Sequence, residues 1–370
     1  MKVNKSKITY CATGVNYNLM DPLKRLAQKM GQQTSKNLQQ FNLKEVSESR
    51  GESAYVWEEE NCYRAFVIEG LGTKNLVADE MAKIGKESYY DAIAQDSIAA
   101  IVNDILTVGA LPQVINAYFG TGGPDWFSDD ERSTALVEGW AKACEMAGAT
   151  WGGGETPGLK GIIYPETIDL VGSCIGIIKP KSRLTVSDKL QAGDAIMLIE
   201  SSGIHANGLS LARAVAENLP ERYISKLADG TMFGTALLTP AHIYVNLIKE
   251  LFEAGIDIHY MVNITGHGWR KLMRADKNLS YVISQIPEVP PIFDFIKEHS
   301  GNSDEEMYGN FNMGAGYAIY LPKDQLEKAQ SIASNLNLKS IYAGEVCQGE
   351  KQVVIKPKNI TFEDKTLDLR

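Results

Sequence analysis

An apolar run that breaks into a glycine turn constrains this chain more than any other stretch: Ala65-Phe-Val-Ile leads into Glu69-Gly-Leu-Gly-Thr-Lys74. The run reads as a buried strand. Glycines placed directly after it let backbone N–H groups approach a ligand that larger side chains would hold off. Further acidic groups follow: Asp96 and Asn103-Asp104 fall on a predicted helix over residues 90–108, and Gly152-Gly-Gly-Glu155-Thr156 comes later. Carboxylates beside small glycines and a lysine are the parts of a magnesium–nucleotide site. They offer oxygen ligands for a hard cation, and N–H donors with one fixed positive charge for phosphates.

The helix carries a second message. Ile98, Ile101, Val102 and Ile105 share one face, while Asp96 and Asn103 lie together roughly opposite it at about 100° per residue. A rise of about 1.5 Å per residue sets those two roughly 10 Å apart, too far to bind one metal directly. Either they line a polyphosphate carrying more than one Mg²⁺, or they form a solvated helix surface.

With 370 residues the chain exceeds one ordinary core, and the proline-marked connector Lys179-Pro-Lys-Ser-Arg-Leu-Thr divides it into expected domains 1–179 and 180–370. A helix beginning at Pro22 with Asp21 as its N-cap is predicted near the start, followed by a polar loop or mobile arm over 31–60. The second half repeats strand, glycine turn and helix: a strand over 195–201, the turn Ser202-Gly-Ile-His205-Ala-Asn207-Gly208, then a helix from Leu209 to Glu217. Leu238 to Phe252 reads as helical, Thr265-Gly-His267-Gly268 as another turn before a helix, and the chain after about 355 as a peripheral polar tail. A net charge of −9 argues against nucleic acid as the main partner. Cys11, Cys62, Cys144, Cys174 and Cys347 are scattered without metal-ligand spacing, which fits a reducing cytoplasm, and no apolar stretch approaches membrane-spanning length.

Taken in order, these segments resemble aminoimidazole ribonucleotide (AIR) synthetase, the phosphoribosylformylglycinamidine cyclo-ligase family. The resemblance rests on Tyr10-x-x-x-Gly14-Val15, Glu69-Gly-Leu-Gly-Thr-Lys74, Val102-Asn-Asp104 and Gly153-Gly-Glu155-Thr156. It continues through Ser201-Ser-Gly-Ile-His-Ala-Asn-Gly208, Ile264-Thr-Gly-x-Gly268, Val289-Pro-Pro-Ile-Phe293 and Glu306-Met-Tyr-x-x-Phe-Asn-Met-Gly314. The chain departs from the family pattern at Glu69, where the family has Asp, and at Ala117, Asn263 and His267. It also lacks the usual glycine-rich loop upstream, since Gly31 and Gly51 are the only glycines between Met30 and Val67.

The resemblance implies an α/β (α+β), two-domain PurM-like fold. The N-terminal domain forms a dimeric β-barrel flanked by helices, the C-terminal domain is α/β, and the assembly is a homodimer. It implies ATP and Mg²⁺ as cofactors, a phosphorylated ribonucleotide as substrate, and ATP-dependent ring closure as the reaction. Carried onto this sequence, it makes Glu69, Asp96, Asp104 and Glu155 metal ligands, with Gly70, Gly72, Thr73, Lys74, Asn103, Gly153, Gly154, Thr265 and Gly266 on the nucleotide. Lys74, His205 and Asn207 become candidate catalytic groups, His205 because its ordinary pKa lies near operating pH. Other readings stay open: Glu69 and Glu155 as turn or cap residues, His205 as a hydrogen-bonded turn histidine, and His267 as either. The whole could also be a phosphotransferase of the wider superfamily with another acceptor, or a nucleotide-binding paralogue without catalysis.

Overall fold

The computed structural model describes residues 7, 8, 13, 14 and 17–367. Tyr10 and Val15 of the opening motif, and Cys11, lie outside the described residues.

Helix α1 (Tyr17–Gln32) starts before the predicted cap, so Pro22 sits inside it. Asp21 does not cap it; its carboxylate instead meets Lys24 Nζ at 2.9 Å and His267 Nε2 at 3.6 Å. The segment after it is not an irregular arm either. Short 3-10 turns alternate there with β1 (Lys44–Glu45) and β2 (Tyr55–Glu58), and β2 pairs with β3 (Tyr63–Gly70).

The first sheet has the strand order β1-β2-β3-β6-β4-β5, using β4 (Leu111–Thr121), β5 (Thr150–Glu155) and β6 (Ile168–Ile178). Its pairs are antiparallel except β4 with β5. Helices α2 (Lys74–Gly85), α3 (Tyr90–Leu106) and α4 (Asp130–Met146) complete this half. Gly172 lets α3 lie close on β6, since a Cβ there would stand 2.4 Å from Ile101 Cδ1. The β3 run is buried on one face only, which corrects the expectation of a strand buried throughout. Ala65 and Val67 turn inward while Phe66 and Ile68 are exposed, as period-two geometry requires of a sheet covered on one side.

The second sheet runs β13-β12-β9-β11-β7-β10-β8, from β7 (Ala195–Glu200), β8 (Tyr260–Asn263), β9 (Leu279–Ile283), β10 (Ala315–Leu321), β11 (Ser340–Gln348), β12 (Gln352–Ile355) and β13 (Ile360–Glu363). Its helices are α5 (Leu209–Glu217), α6 (Phe233–Leu237), α7 (Val245–Glu253), α8 (Pro291–Ser300), α9 (Asp304–Asn310) and α10 (Leu326–Asn335). The predicted polar tail is part of this sheet. Ile360 and Phe362 alternate inward between exposed Thr361 and Glu363, and Asn359, at φ 54°, makes the turn that pairs β13 with β12.

Residues 238–244 are not helical. They form an extended strap whose backbone is bonded to side chains of α2 and α3. Ala241 N–H donates to Asp96 Oδ1 at 2.8 Å, and Tyr244 N–H to Asn103 Oδ1 at 3.0 Å. Asn103 Nδ2 donates to His242 O at 2.8 Å, and Gln95 Nε2 to Ala241 O at 2.9 Å. Asp96 and Asn103 do share a face, as the periodicity predicts. That face binds the two halves of the molecule together.

Candidate functional site

The β3 pleat that buries Ala65 and Val67 sends Glu69 to the same side, against α3. There it meets Asp104. The two carboxyls are hydrogen-bond neighbours. Burial and the Asp104 charge push the Glu69 carboxyl up to about 8, against the opposing pull of Lys271 and Arg274. Asp104 Oδ1 is further held by Asn263 Nδ2 at 2.7 Å, so the Asn at this departure from the family pattern orients an acidic group.

These carboxyls open on a cavity of about 550 Å³ whose walls include Glu69, Gly70, Asp104, Asn207, Thr265 and Gly266. Asn207 Oδ1 accepts from Gly266 N–H at 3.0 Å, which ties the two glycine turns of the second half together at the rim. Helix α1 contributes Met20, Lys24 and Gln28, and Gly51-Glu52-Ser53 lines another side. Arg274 holds that last segment, donating from Nε to Gly51 O at 3.0 Å and from Nη1 to Ser53 Oγ at 2.9 Å. A larger cavity of about 680 Å³ lies elsewhere, walled by Asp79, Tyr90, Arg132, Arg213 and Arg222 among others. It contains none of the motif residues, whereas the smaller cavity is walled by several of them.

Several expected site residues are placed otherwise. Lys74 is fully buried, its Nζ 2.6 Å from Asp96 Oδ2 and donating to Thr239 O at 2.9 Å. Burial pushes the Asp96 carboxyl up to about 6 and the Lys74 ammonium down, so each charge depends on its partner. Neither lines the cavity. Asn103 serves the domain strap described above. Gly72 does make the left-handed turn the motif requires, with φ +79°, and Thr73 precedes the first residue of α2, but both stand outside the cavity wall.

His205 occupies the expected turn with its ring packed into the protein. Its φ is +59° and its ring is buried, accepting Ser202 N–H on Nε2 at 3.2 Å. Burial, with the His242 and Lys74 charges adding to it, keeps the imidazole neutral far below its usual range. Gly153, Gly154 and Glu155 lie exposed on the edge strand β5. The register Glu69–Gly172–Ala117–Gly154 crosses three strand spacings. That is about 14 Å, so Glu155 does not join Glu69 within one chain. Among the described residues no group of three His, Cys, Asp or Glu side chains is gathered as a metal would need.

Lys24, Glu52, Lys271 and Arg274 are the charged wall residues that sequence reasoning missed. The signal for two of them was present: basic residues follow the Ile264-Thr-Gly-x-Gly268 turn at 271, on a short 3-10 helix, and at 274, just after it.

Family models match both halves. AIR synthase related protein, N-terminal domain, covers residues 51–178, and AIR synthase related protein, C-terminal domain, covers 191–356. A phosphoribosylformylglycinamidine cyclo-ligase of Methanothermobacter thermautotrophicus is 38% identical over 272 residues, 72% of this chain and 76% of its own. Another, from Carboxydothermus hydrogenoformans, is 31% identical over 94% of this chain and 99% of its own. Among solved structures, the HypE–HypF complex aligns with TM-score 0.60 at 17% identity, over 85% of this chain and 93% of that one. AaThiL complexed with AMPPCP and TMP aligns with TM-score 0.57 at 17% identity, over 85% and 90%. These two likenesses establish the fold.

Proposed function

The chain belongs to the AIR synthase family, the phosphoribosylformylglycinamidine cyclo-ligases, and on that premise we propose that it closes the ring of formylglycinamidine ribonucleotide to aminoimidazole ribonucleotide, consuming ATP. ADP and phosphate are released, and the step belongs to de novo purine biosynthesis. One observation carries the reading: motif residues from both halves, Glu69 and Asp104 with Asn207, Thr265 and Gly266, wall a single cavity.

The reaction needs the amide oxygen made into a leaving group. The formyl amide oxygen attacks the γ-phosphorus, its new O–P bond replaces the bond to ADP, and the amidine-side nitrogen then attacks the formyl carbon. Phosphate departs with the C–O bond. Positioning and charge neutralisation are therefore the protein's main tasks. Glu69 and Asp104 suit Mg²⁺, which is held by one or two carboxylates plus substrate phosphates; side by side, with Asp104 buried and Glu69 half-buried, they repel each other unless a proton or a cation intervenes. Bound there, the ion would neutralise the triphosphate. The Thr265 hydroxyl presents a polar group to the phosphate end, beside Gly266, whose own N–H is donated to Asn207 Oδ1. His205 takes no part, because its ring is turned into the protein. Incubation with formylglycinamidine ribonucleotide and Mg-ATP should give ADP and aminoimidazole ribonucleotide in equal amounts. ADP without ring closure would instead favour a different acceptor.

The assembly we infer is a homodimer, supported by the open face of the first sheet. Phe66, Ile175 and Val114 stand in one row across β3, β6 and β4 by register, each at least 40% exposed, with Ile68 beside them. A second copy would cover this row. Ile175→Asp should therefore reduce the sedimenting mass from twice 40.6 kDa to 40.6 kDa. A wild-type chain that sediments as a monomer would remove the dimer from the account. The cytoplasm is supported by Cys62, Cys144, Cys174 and Cys347, which are free thiols, and among the described residues no helix is long and apolar enough to cross a membrane.

A further inference from the structure

The motif lysine expected to neutralise phosphate, Lys74, is sealed away with Asp96, yet phosphate in the cavity still needs a cation. We propose that Lys271 is that group, a phosphate-binding residue of the site, and that Arg274 and Lys24 set its surroundings; the inference rests on the ATP-dependent reading above.

The geometry favours Lys271 on three counts. Its position is built: the turn at His267, with φ +70°, leads into a 3-10 helix over Gly268–Met273 that carries Lys271 back to the cavity wall. Its Nζ is bonded to Thr265 Oγ1, so ammonium and hydroxyl converge on one corner of the cavity wall. Its ammonium also faces the acidic end of the cavity. The carboxylates facing it are Glu69 and Asp104, and Asp104 also accepts from Asn263. Arg274 is committed elsewhere. It holds Gly51 O, Ser53 Oγ and, at 3.7 Å, Glu52, whose Oε2 also accepts the Tyr260 hydroxyl at 2.6 Å. That makes Arg274 a positioning residue for the 51–53 segment of the cavity wall. Lys24, on α1, is tied to Asp21 and lines the same cavity.

Two phosphates could use this corner, the polyphosphate of ATP and the 5′-phosphate of the ribonucleotide. Steady-state kinetics on Lys271→Met and Lys271→Arg separates them. The charged hydrogen bond lost in Lys271→Met should raise the KM of its own phosphate-bearing ligand on the order of 10- to 100-fold, with kcat changed much less. A rise confined to ATP assigns the polyphosphate, and a rise confined to the ribonucleotide assigns the 5′-phosphate. Lys271→Arg should recover most of the loss. Unchanged KM values for both ligands in Lys271→Met, against an active wild type, would overturn the proposal, whereas an inactive wild type would instead remove the reading on which it rests.

A second measurement needs no variant. An acyl phosphate of ADP transfers its acyl group to a lysine amine within reach of the phosphates: the C–N amide bond forms, the C–O bond breaks and ADP leaves. Peptide mapping of the labelled wild-type protein should find the acyl group on Lys271. Label on Lys74 with none on Lys271 would contradict the assignment to a polyphosphate corner.

Discussion

Asp104→Asn lowers Mg-ATP-dependent turnover by about 100- to 1,000-fold while leaving the fold intact. Loss of one preorganised charge aimed at a transferring phosphoryl group carries a penalty of about that order. The fold survives because asparagine keeps an oxygen for Asn263 Nδ2, the partner now at 2.7 Å. Glu69→Gln should show the same loss with the opposite effect on stability. In the metal-free protein Glu69 is raised from 4.5 to about 8, so wild-type stability falls as pH climbs from the unfolded value toward the folded one. Glutamine has no such cost. The Glu69→Gln protein should therefore melt above wild type near pH 8 without Mg²⁺, and lose the upward shift in Tm that Mg²⁺ with an ATP analogue gives wild type. A variant that melts lower than wild type and still turns over would show that Glu69 is structural.

The second large effect concerns Lys74. Lys74→Ala leaves Asp96 buried with no cation, and breaking a buried pair in this way costs about 3–5 kcal/mol. Its Nζ bond to Thr239 O on the strap is lost as well, which weakens the seam between the two halves. Urea unfolding should report that loss, while turnover per folded molecule stays near wild type. The paired change Lys74→Met with Asp96→Leu should regain most of the stability, because an apolar pair removes both desolvation penalties. Normal stability with lost turnover in Lys74→Ala would restore the lysine to the phosphate.

Much of this was legible in the residues themselves. The strand before Glu69, the helix carrying Asp104 and the helix at Leu209–Glu217 follow from apolar periodicity, and motif order along the chain placed them in one family. What periodicity leaves open is the neighbour. It put Asp96 and Asn103 on a common face, but only the backbone of 238–244 shows that the face meets protein rather than phosphate or water. The same holds for Lys74. A lysine after a glycine turn is chemically suited to phosphate, and a carboxylate twenty-two residues on, brought within 2.6 Å by packing of α2 on α3, claims it first. The helical reading of 238–252 failed where Pro240 falls, since a proline disfavours helix both at its own position and just before it. The tail was read as polar because its lysines obscured a short alternating strand. Lys271 was passed over because motif reading stopped at Gly268.

The central claim is that Glu69 and Asp104 hold the metal of a nucleotide site built from both halves of the chain. Crystals grown with Mn²⁺ and β,γ-methylene ATP test it most directly through the anomalous signal of the metal. The account predicts a peak within about 2.3 Å of both carboxyls, with the phosphates against Thr265 and Gly266. A peak at Glu155, or nucleotide in the larger cavity beside Arg132 and Arg213, would contradict it.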